Sequence, residues 1–171
     1  MSRIKDSSVV EVIVNIMERN DSWEIKGEAA RALGRIGSVE ALDPILDIVT
    51  TQEEEIIRQK QHIMFRFIES LGNLGDSEIT GLLTNWMYYL HDDKYSWPFV
   101  KNSPIKALGK IGDESSIMDL LSIYVRHLDL PEIEGKSIAV EEALVSIGEK
   151  GRDTYLLYSS EKFFKESYDQ S

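Results

Sequence analysis

Apolar residues recur along this chain at the spacing of a helix. In four stretches they occupy positions i, i+3, i+4 and i+7, which is the pattern of a helix that buries one stripe of its surface. The four stripes are Val10, Ile13, Val14 and Met17; Leu42, Ile45, Leu46 and Val49; Ile79, Leu82, Leu83 and Trp86; and Ile117, Leu120, Leu121 and Tyr124. The pattern therefore predicts amphipathic helices and an all-α chain.

A short phrase that ends in glycine recurs between these stripes. It reads ALGRIG at 32–37, SLGNLG at 70–75, ALGKIG at 107–112 and ALVSIG at 143–148. Its leucines are separated by 38, 37 and 36 residues, a period typical of stacked helical repeats. Each final glycine can take the left-handed conformation that ends a helix. Three of the glycines are followed by a residue that can cap the next helix, namely Ser38, Asp76 and Asp113. The phrase therefore predicts a tight turn between two helices.

The period divides the chain into helix pairs. We expect a first helix before each phrase, over residues 23–36, 56–74, 98–111 and 135–147, and a second helix after it, over residues 39–51, 77–91, 114–128 and 150–165. Residues 7–19 repeat the second-helix pattern without a first helix. The chain, 1–171, is then one domain with a half repeat at 1–21 and repeats at 22–52, 53–92, 93–129 and 130–171, the last including an aromatic C-terminal cap.

The first copy of the phrase resembles a known short repeat. The run that carries the resemblance is Ile25-Lys26-x-x-Ala29-Ala30-x-Ala32-Leu33-Gly34-x-Ile36-Gly37, which looks like the HEAT-like repeat first noted in phycobilisome lyases. The later copies depart from it at the small pair (Phe67 and Ile68, then Pro104 and Ile105) and at the mid-turn glycine (Val145). The resemblance covers almost the whole chain. It implies a right-handed α-α superhelix, a HEAT-like solenoid of about four and a half helix pairs, and a binding function.

The charge and composition of the chain indicate which classes of partner it can bind. It carries 30 acidic and 19 basic side chains, for a net charge of -11 at pH 7. Binding to phosphates needs clustered lysine and arginine, so we expect no nucleic-acid site and favour a basic protein as partner. The absence of cysteine excludes disulfides and thiolate metal sites and fits the cytoplasm, the location we expect. Because Glu11 and Asn15 interrupt the N-terminal apolar run, we expect neither a signal peptide nor a membrane anchor.

Side chains that could carry chemistry are few and scattered. The three histidines, at positions 62, 91 and 127, lie in no metal-binding motif. His91, Asp92 and Asp93 come closest to a ligand cluster, but a hard cation would want further carboxylates, and a solvated loop is the simpler interpretation. No glycine-rich loop follows a strand. We therefore expect no catalytic, cofactor-binding or metal-binding residues.

Two surfaces are candidates for binding a partner. In stacks of this kind we expect the first helices on the convex side and the second helices along the concave side. The polar positions beside the stripes of the second helices are Glu11, Asn15, Asp43, Asp47, Thr84, Tyr88, Asp119, Ser122 and Arg126. The other surface is an acidic edge formed by the connections between repeats, from which we select Asp92, Asp93 and Tyr95. The simpler interpretation of that edge, a set of solvated loops, stays open.

The sequence thus predicts a non-catalytic protein-binding module that binds and neutralises or regulates a basic partner. Its sharpest form is the immunity protein of a bacterial toxin, for example a nuclease. Two alternatives stay open: a scaffold or adaptor subunit, and a chromophore-handling subunit, which only the resemblance to phycobilisome lyases suggests. DNA binding of the kind found in HEAT-like glycosylases is disfavoured, because Asp43, Asp47 and Asp119 lie where basic residues would be needed. The oligomeric state stays open, with a monomer as the default.

Overall fold

The computed structural model describes residues 7–51, 61–92, 98–128 and 134–169, and these form helices joined by short turns. The helices are α1 (Ser7–Arg19), α2 (Trp23–Ile36), α3 (Leu42–Thr51), α4 (Gln61–Leu74), α5 (Thr80–Asp92), α6 (Pro98–Ile111), α7 (Ile117–Leu128), α8 (Glu134–Ser146) and α9 (Glu149–Asp169). Single 3-10 turns at Val39–Ala41, Ser77–Ile79 and Glu114–Ser116 precede α3, α5 and α7. The predicted succession of first helices (α2, α4, α6, α8) and second helices (α1, α3, α5, α7, α9) is confirmed as an all-α helical solenoid. The beginning predicted for α4, residues 56–60, lies outside the described residues, and the division into one domain with the stated repeat boundaries stays a prediction.

The turn chemistry predicted for the repeated phrase is mostly confirmed. Gly37, Gly75, Gly112 and Gly148 all have a positive φ, between 69° and 109°. The carboxylates of Asp76 and Asp113 accept hydrogen bonds from backbone N–H groups two residues later, at 2.8 and 2.9 Å. Ser38 is an exception, because it precedes the next turn in an extended conformation but its buried side chain makes no capping hydrogen bond. The prediction that Ser38 caps the next helix is therefore wrong.

The core lies between two layers of helices. Most residues of the four predicted stripes are buried, and Ile13, Val14, Leu46 and Leu82 are half-buried against them. Second helices α1, α5 and α7 each pack extensively against the first helix that follows in the chain. The stripes thus join one repeat to the next, which is how a solenoid builds a continuous core from units that cannot bury their own apolar faces.

Small residues bring the first helices into close approach. A methyl group added to Gly72 would lie 2.7 Å from the Cα of Ala107, and one added to Gly34 would lie 2.6 Å from the Cα of Ser70. Gly109 and Ala143 repeat this contact between α6 and α8. The fourth copy has Val145 at the glycine position, and Val145 is 48% exposed. Within the described residues no first helix follows α8, so this departure from the repeat needs no close approach.

The two layers are therefore unequally spaced. Each first helix lies close to the next over much of its length, whereas neighbouring second helices scarcely approach one another. A two-layer stack bends towards its more closely spaced layer, and this per-repeat rotation produces the concave surface of a solenoid. The first helices thus line the concave side. The expectation that the second helices line it is wrong, because it took no account of the small residues in the first helices.

Candidate binding surfaces

Nine of the twelve predicted binding residues lie on one side of the second helices, which we call the second-helix face. Glu11, Asp43, Asp47 and Arg126 are exposed there, and Asn15, Thr84, Tyr88, Asp119 and Ser122 are half-buried. They belong to α1, α3, α5 and α7. The other three predicted residues, Asp92, Asp93 and Tyr95, cannot be compared, because Asp93, Tyr95 and the side chain of Asp92 lie outside the described residues.

Four of these residues form a cluster between α5 and α7. The hydroxyl of Tyr88 donates to Oδ1 of Asp119 at 2.8 Å, and the guanidinium of Arg126 lies 5.6 Å from the centre of the Tyr88 ring. Burial raises the pKa of Tyr88, and Asp119 raises it further, while a hydrogen bond with Ser122 acts in the opposite direction. The cluster therefore links two second helices, and its polar groups interact with one another.

Asp43 and Asp47 present charge that is not committed elsewhere. They lie one turn apart on α3, both are exposed, and neither makes an ion pair with a described residue. The neighbouring Thr50 and Thr51 donate their hydroxyls to carbonyls of the same helix, at 2.7 Å from Leu46 and 2.5 Å from Asp47. Glu11 is exposed on α1, the second helix that precedes α3 in the chain. We call Glu11, Asp43 and Asp47 the acidic patch.

The concave side carries a different set of residues, none of which is among the twelve predicted binding residues. Two positions of each first helix, two residues before and two residues after the leucine of the repeated phrase, form rows across the first helices. The first row is Arg31, Glu69, Lys106 and Glu142, and the second is Arg35, Asn73, Lys110 and Ser146. We call these eight residues the concave face. With four bases and two acids its net charge is +2, in a chain whose net charge is -11.

Side-chain contacts engage some members of both rows. Nζ of Lys110 donates to Oδ1 of Asn73 at 2.7 Å, which joins adjacent helices. At the α2 end, Glu28 pairs with both Arg31, at 2.6 Å, and Arg66 on α4, at 3.2 Å. Lys106 makes no ion pair with a described residue and is exposed. The bases of this face that make no ion pair with a described residue are therefore Lys106 and Lys110 on α6 and Arg35 on α2.

Two shallow hollows adjoin these lysines. One lies between α4 and α6 against Phe65 and Phe99, and the other lies over the small residues Gly109 and Ala143 between α6 and α8. Each has a volume of about 270 Å³. Lys106 and Lys110 line both, so the hollows form one groove with α6 along its middle.

A signal for this groove was present in the sequence. Within the repeated phrase the fourth letter is Arg, Asn, Lys or Ser, whereas most of its neighbours are small or apolar in every copy. A position that varies among polar residues inside an otherwise repeated phrase is not fixed by packing. It is therefore a position that faces solvent, and its recurrence across the first helices marks a surface.

No chemistry-bearing cluster emerges from the part of the chain that the structure describes. There, no group of three histidine, aspartate or glutamate residues could hold a metal ion. Nδ1 of His91 lies 2.8 Å from the carbonyl of Met87 on its own helix, while the other two members of the considered ligand set fall outside the described side chains. Across the same residues, none of the helices is both long and apolar enough to span a membrane.

Comparison with known families agrees with the architecture. Residues 1–64 match the sequence model of a family described as HEAT repeats. The match covers α1, the whole first repeat and the beginning of α4, and the later repeats continue the same helix pairs. HEAT repeats are characteristic of protein-interaction and scaffold modules, which are generally non-catalytic. The first 64 residues of the chain are thus similar to HEAT repeats, and the described residues beyond them continue the same all-α helical solenoid.

Proposed function

We propose that this chain is a non-catalytic module that binds a basic protein through its second-helix face. The observation that carries the proposal is the acidic patch, in which Asp43 and Asp47 are exposed, one turn apart, and unpaired among the described residues. Glu11 is exposed on the preceding second helix, α1, and adds a third carboxylate to this layer. Carboxylates that are not committed to internal ion pairs can attract a cationic surface over a long range and then pair with it.

The consequence of such binding is occlusion of the partner. Proteins that bind nucleic acid carry clustered lysine and arginine to neutralise phosphates. An acidic helical face laid on that cluster competes with the phosphate backbone for the same cations. The module therefore neutralises a basic enzyme such as a nuclease without chemistry of its own, as the immunity protein of a toxin does.

Affinity capture tests the proposal. The intact chain is immobilised and exposed at low salt to an extract of its native host, and the retained proteins are identified by mass spectrometry. We expect basic proteins that elute as salt rises, because ions screen exposed charge pairs. For a captured protein, Asp43→Lys/Asp47→Lys should weaken binding about tenfold or more.

A matched charge reversal separates the effect of the acidic patch on binding from the effect of net charge. Glu78, in the 3-10 turn before α5, and Glu149, the first residue of α9, are both exposed, so Glu78→Lys/Glu149→Lys changes the total charge equally. This control should retain the binding of the unaltered chain to within about twofold at moderate salt. The proposal fails if no basic protein is captured, or if the two double variants weaken binding to the same extent.

A further inference from the structure

We infer that the concave face is a second binding site, which takes an acidic linear segment of a partner protein and holds one apolar side chain of that segment between α4 and α6. The site lies on the first helices, in the opposite layer from the acidic patch, and it has the opposite charge. The inference therefore goes beyond the proposed function and does not depend on it.

An exposed aromatic pair forms the wall for the apolar side chain. The rings of Phe65 and Phe99 meet edge to face, with centroids 5.4 Å apart and planes at 88°. Phe99 is nevertheless 48% exposed. A ring held by its neighbour but open to solvent binds an apolar group without losing much further side-chain freedom. The exposed aromatic surface is thus ready to receive a ligand.

The size of the hollow between α4 and α6 indicates what kind of group it can bind. Its volume of about 270 Å³ lies below the range of about 300 to 1,000 Å³ in which small-molecule pockets fall. It is also partly open to solvent. A single large apolar side chain, carried on an extended segment that continues along the groove, matches it better.

The charge of the groove indicates that the rest of the bound segment is acidic. Lys106 and Lys110 lie one turn apart on α6, both exposed, and both line the two halves of the groove. Side chains at this spacing are neighbours on a helix surface, so their ammonium groups can pair with carboxylates of one bound segment. Lys106 has no carboxylate partner among the described residues, and Lys110 has only the neutral Asn73.

Two glutamates exclude a nucleic acid from the same groove. Glu69 on α4 and Glu142 on α8 flank the lysines on either side. Within this groove the positive strip is therefore only one helix wide. A phosphate backbone, with a charge on every nucleotide, would meet these carboxylates as well as the lysines, and it would approach a chain whose net charge is -11. A segment with two or three carboxylates fits within the strip.

Selection from a random-peptide display library tests the inference and requires no named partner. The whole chain is the bait, and the selected peptides are synthesised and titrated by fluorescence anisotropy. We expect acidic peptides that share one large apolar residue. Their Kd should rise about tenfold or more with Lys106→Glu/Lys110→Glu, and also with Phe99→Ala.

Three controls decide the outcome. Lys150→Glu/Arg152→Glu reverses two exposed bases on α9 and should leave the Kd within about twofold. Asp43→Lys/Asp47→Lys should not weaken peptide binding, which keeps this site distinct from the acidic patch. Circular dichroism checks that each variant keeps its helical signal. The inference is overturned if the selected peptides are not acidic, if they bind the lysine variant equally well, or if a labelled single-stranded oligonucleotide of equal charge binds the groove more tightly.

Discussion

Pro104 leaves a carbonyl of α6 without its usual donor, and the preceding serine replaces that donor. Proline has no N–H to donate to the carbonyl four residues earlier, which here belongs to Val100. The hydroxyl of Ser103 donates to that carbonyl at 2.6 Å, in a buried position. Helix α6 therefore continues from Pro98 to Ile111 through its internal proline.

Replacing Ser103 tests this substitution of donors. Ser103→Ala leaves a buried carbonyl unpaired, so we expect the free energy of unfolding to fall by about 1 to 3 kcal/mol. Ser146→Ala is the matched control, since its hydroxyl donates to the carbonyl of Glu142 at 2.7 Å, but at an exposed position. It should change stability by no more than about 0.5 kcal/mol. Urea unfolding of both variants measures the difference, and equal losses would show that the Val100 carbonyl does not depend on Ser103.

At this scale, local contacts were predictable and distant ones were not. Asp76 and Asp113 cap the next turn through N–H groups two residues away, so the short sequence around them is sufficient to predict the bond. Ser38 has similar neighbours in sequence but is buried, and burial depends on the packing of other repeats. Likewise, the hydroxyl of Ser70 donates to the carbonyl of Ala30 at 2.6 Å across 40 residues, a bond that no local pattern indicates.

The spacing of the first helices sets the shape of each pair of repeats. Their close approach depends on one small residue from each helix, as at Gly72 and Ala107. The repeated phrase predicted the helices and their ends, because the period and the terminal glycines are local signals. It did not predict which layer is tighter, since the apolar stripe of a single helix carries no information about its distance from the next. The recurring glycine one residue after the leucine was the relevant signal.

Adding a methyl group at Gly72 tests that spacing. Gly72→Ala gains helix propensity but places Cβ 2.7 Å from the Cα and Cβ of Ala107, so one of the two helices must shift. Gly81→Ala is the control, because a methyl group there meets open space on α5. Both variants gain some helix propensity, so most of the difference between them reflects the clash. We expect Gly72→Ala to be less stable than Gly81→Ala by about 1 to 3 kcal/mol in urea unfolding. Equal stability would mean that the first helices can separate at little cost.

Across the whole molecule, charge is divided between the two layers. The sequence analysis assigned Asp43, Asp47 and Asp119 to the concave side and expected a basic partner from the net charge of -11. The net charge does not show how charge is distributed between the two sides of the stack. That distribution depends on which layer forms the concave side. Because the first helices do so, the concave face has a net charge of +2, while Asp43 and Asp47 lie in the other layer. The predicted binding residues therefore stay candidates on a face other than the one expected.

Two tyrosines tie the second helices together where the backbones stay apart. Tyr88 on α5 donates to Asp119 on α7, and the ring of Tyr155 on α9 packs edge to face against Tyr124 on α7, with centroids 5.7 Å apart. Burial raises the pKa of both phenols. Carboxylates raise it further, that of Asp119 beside Tyr88 and that of Glu141 beside Tyr155.

The stability of the whole array should therefore fall in alkaline solution. A phenol whose pKa is higher in the folded chain than in the unfolded chain binds its proton more tightly when folded. Its contribution is complete below the ordinary pKa of 10.0 and is lost as pH rises through the folded pKa. We expect the free energy of unfolding in urea to decrease between about pH 9 and about pH 11, and to decrease less in Tyr88→Phe/Tyr155→Phe. The double variant should be less stable at neutral pH, because it lacks the hydroxyls that bind these partners. The gap in stability between the two proteins should thus narrow as pH rises, and a gap that stays constant would show that these phenols do not ionise on unfolding in this interval.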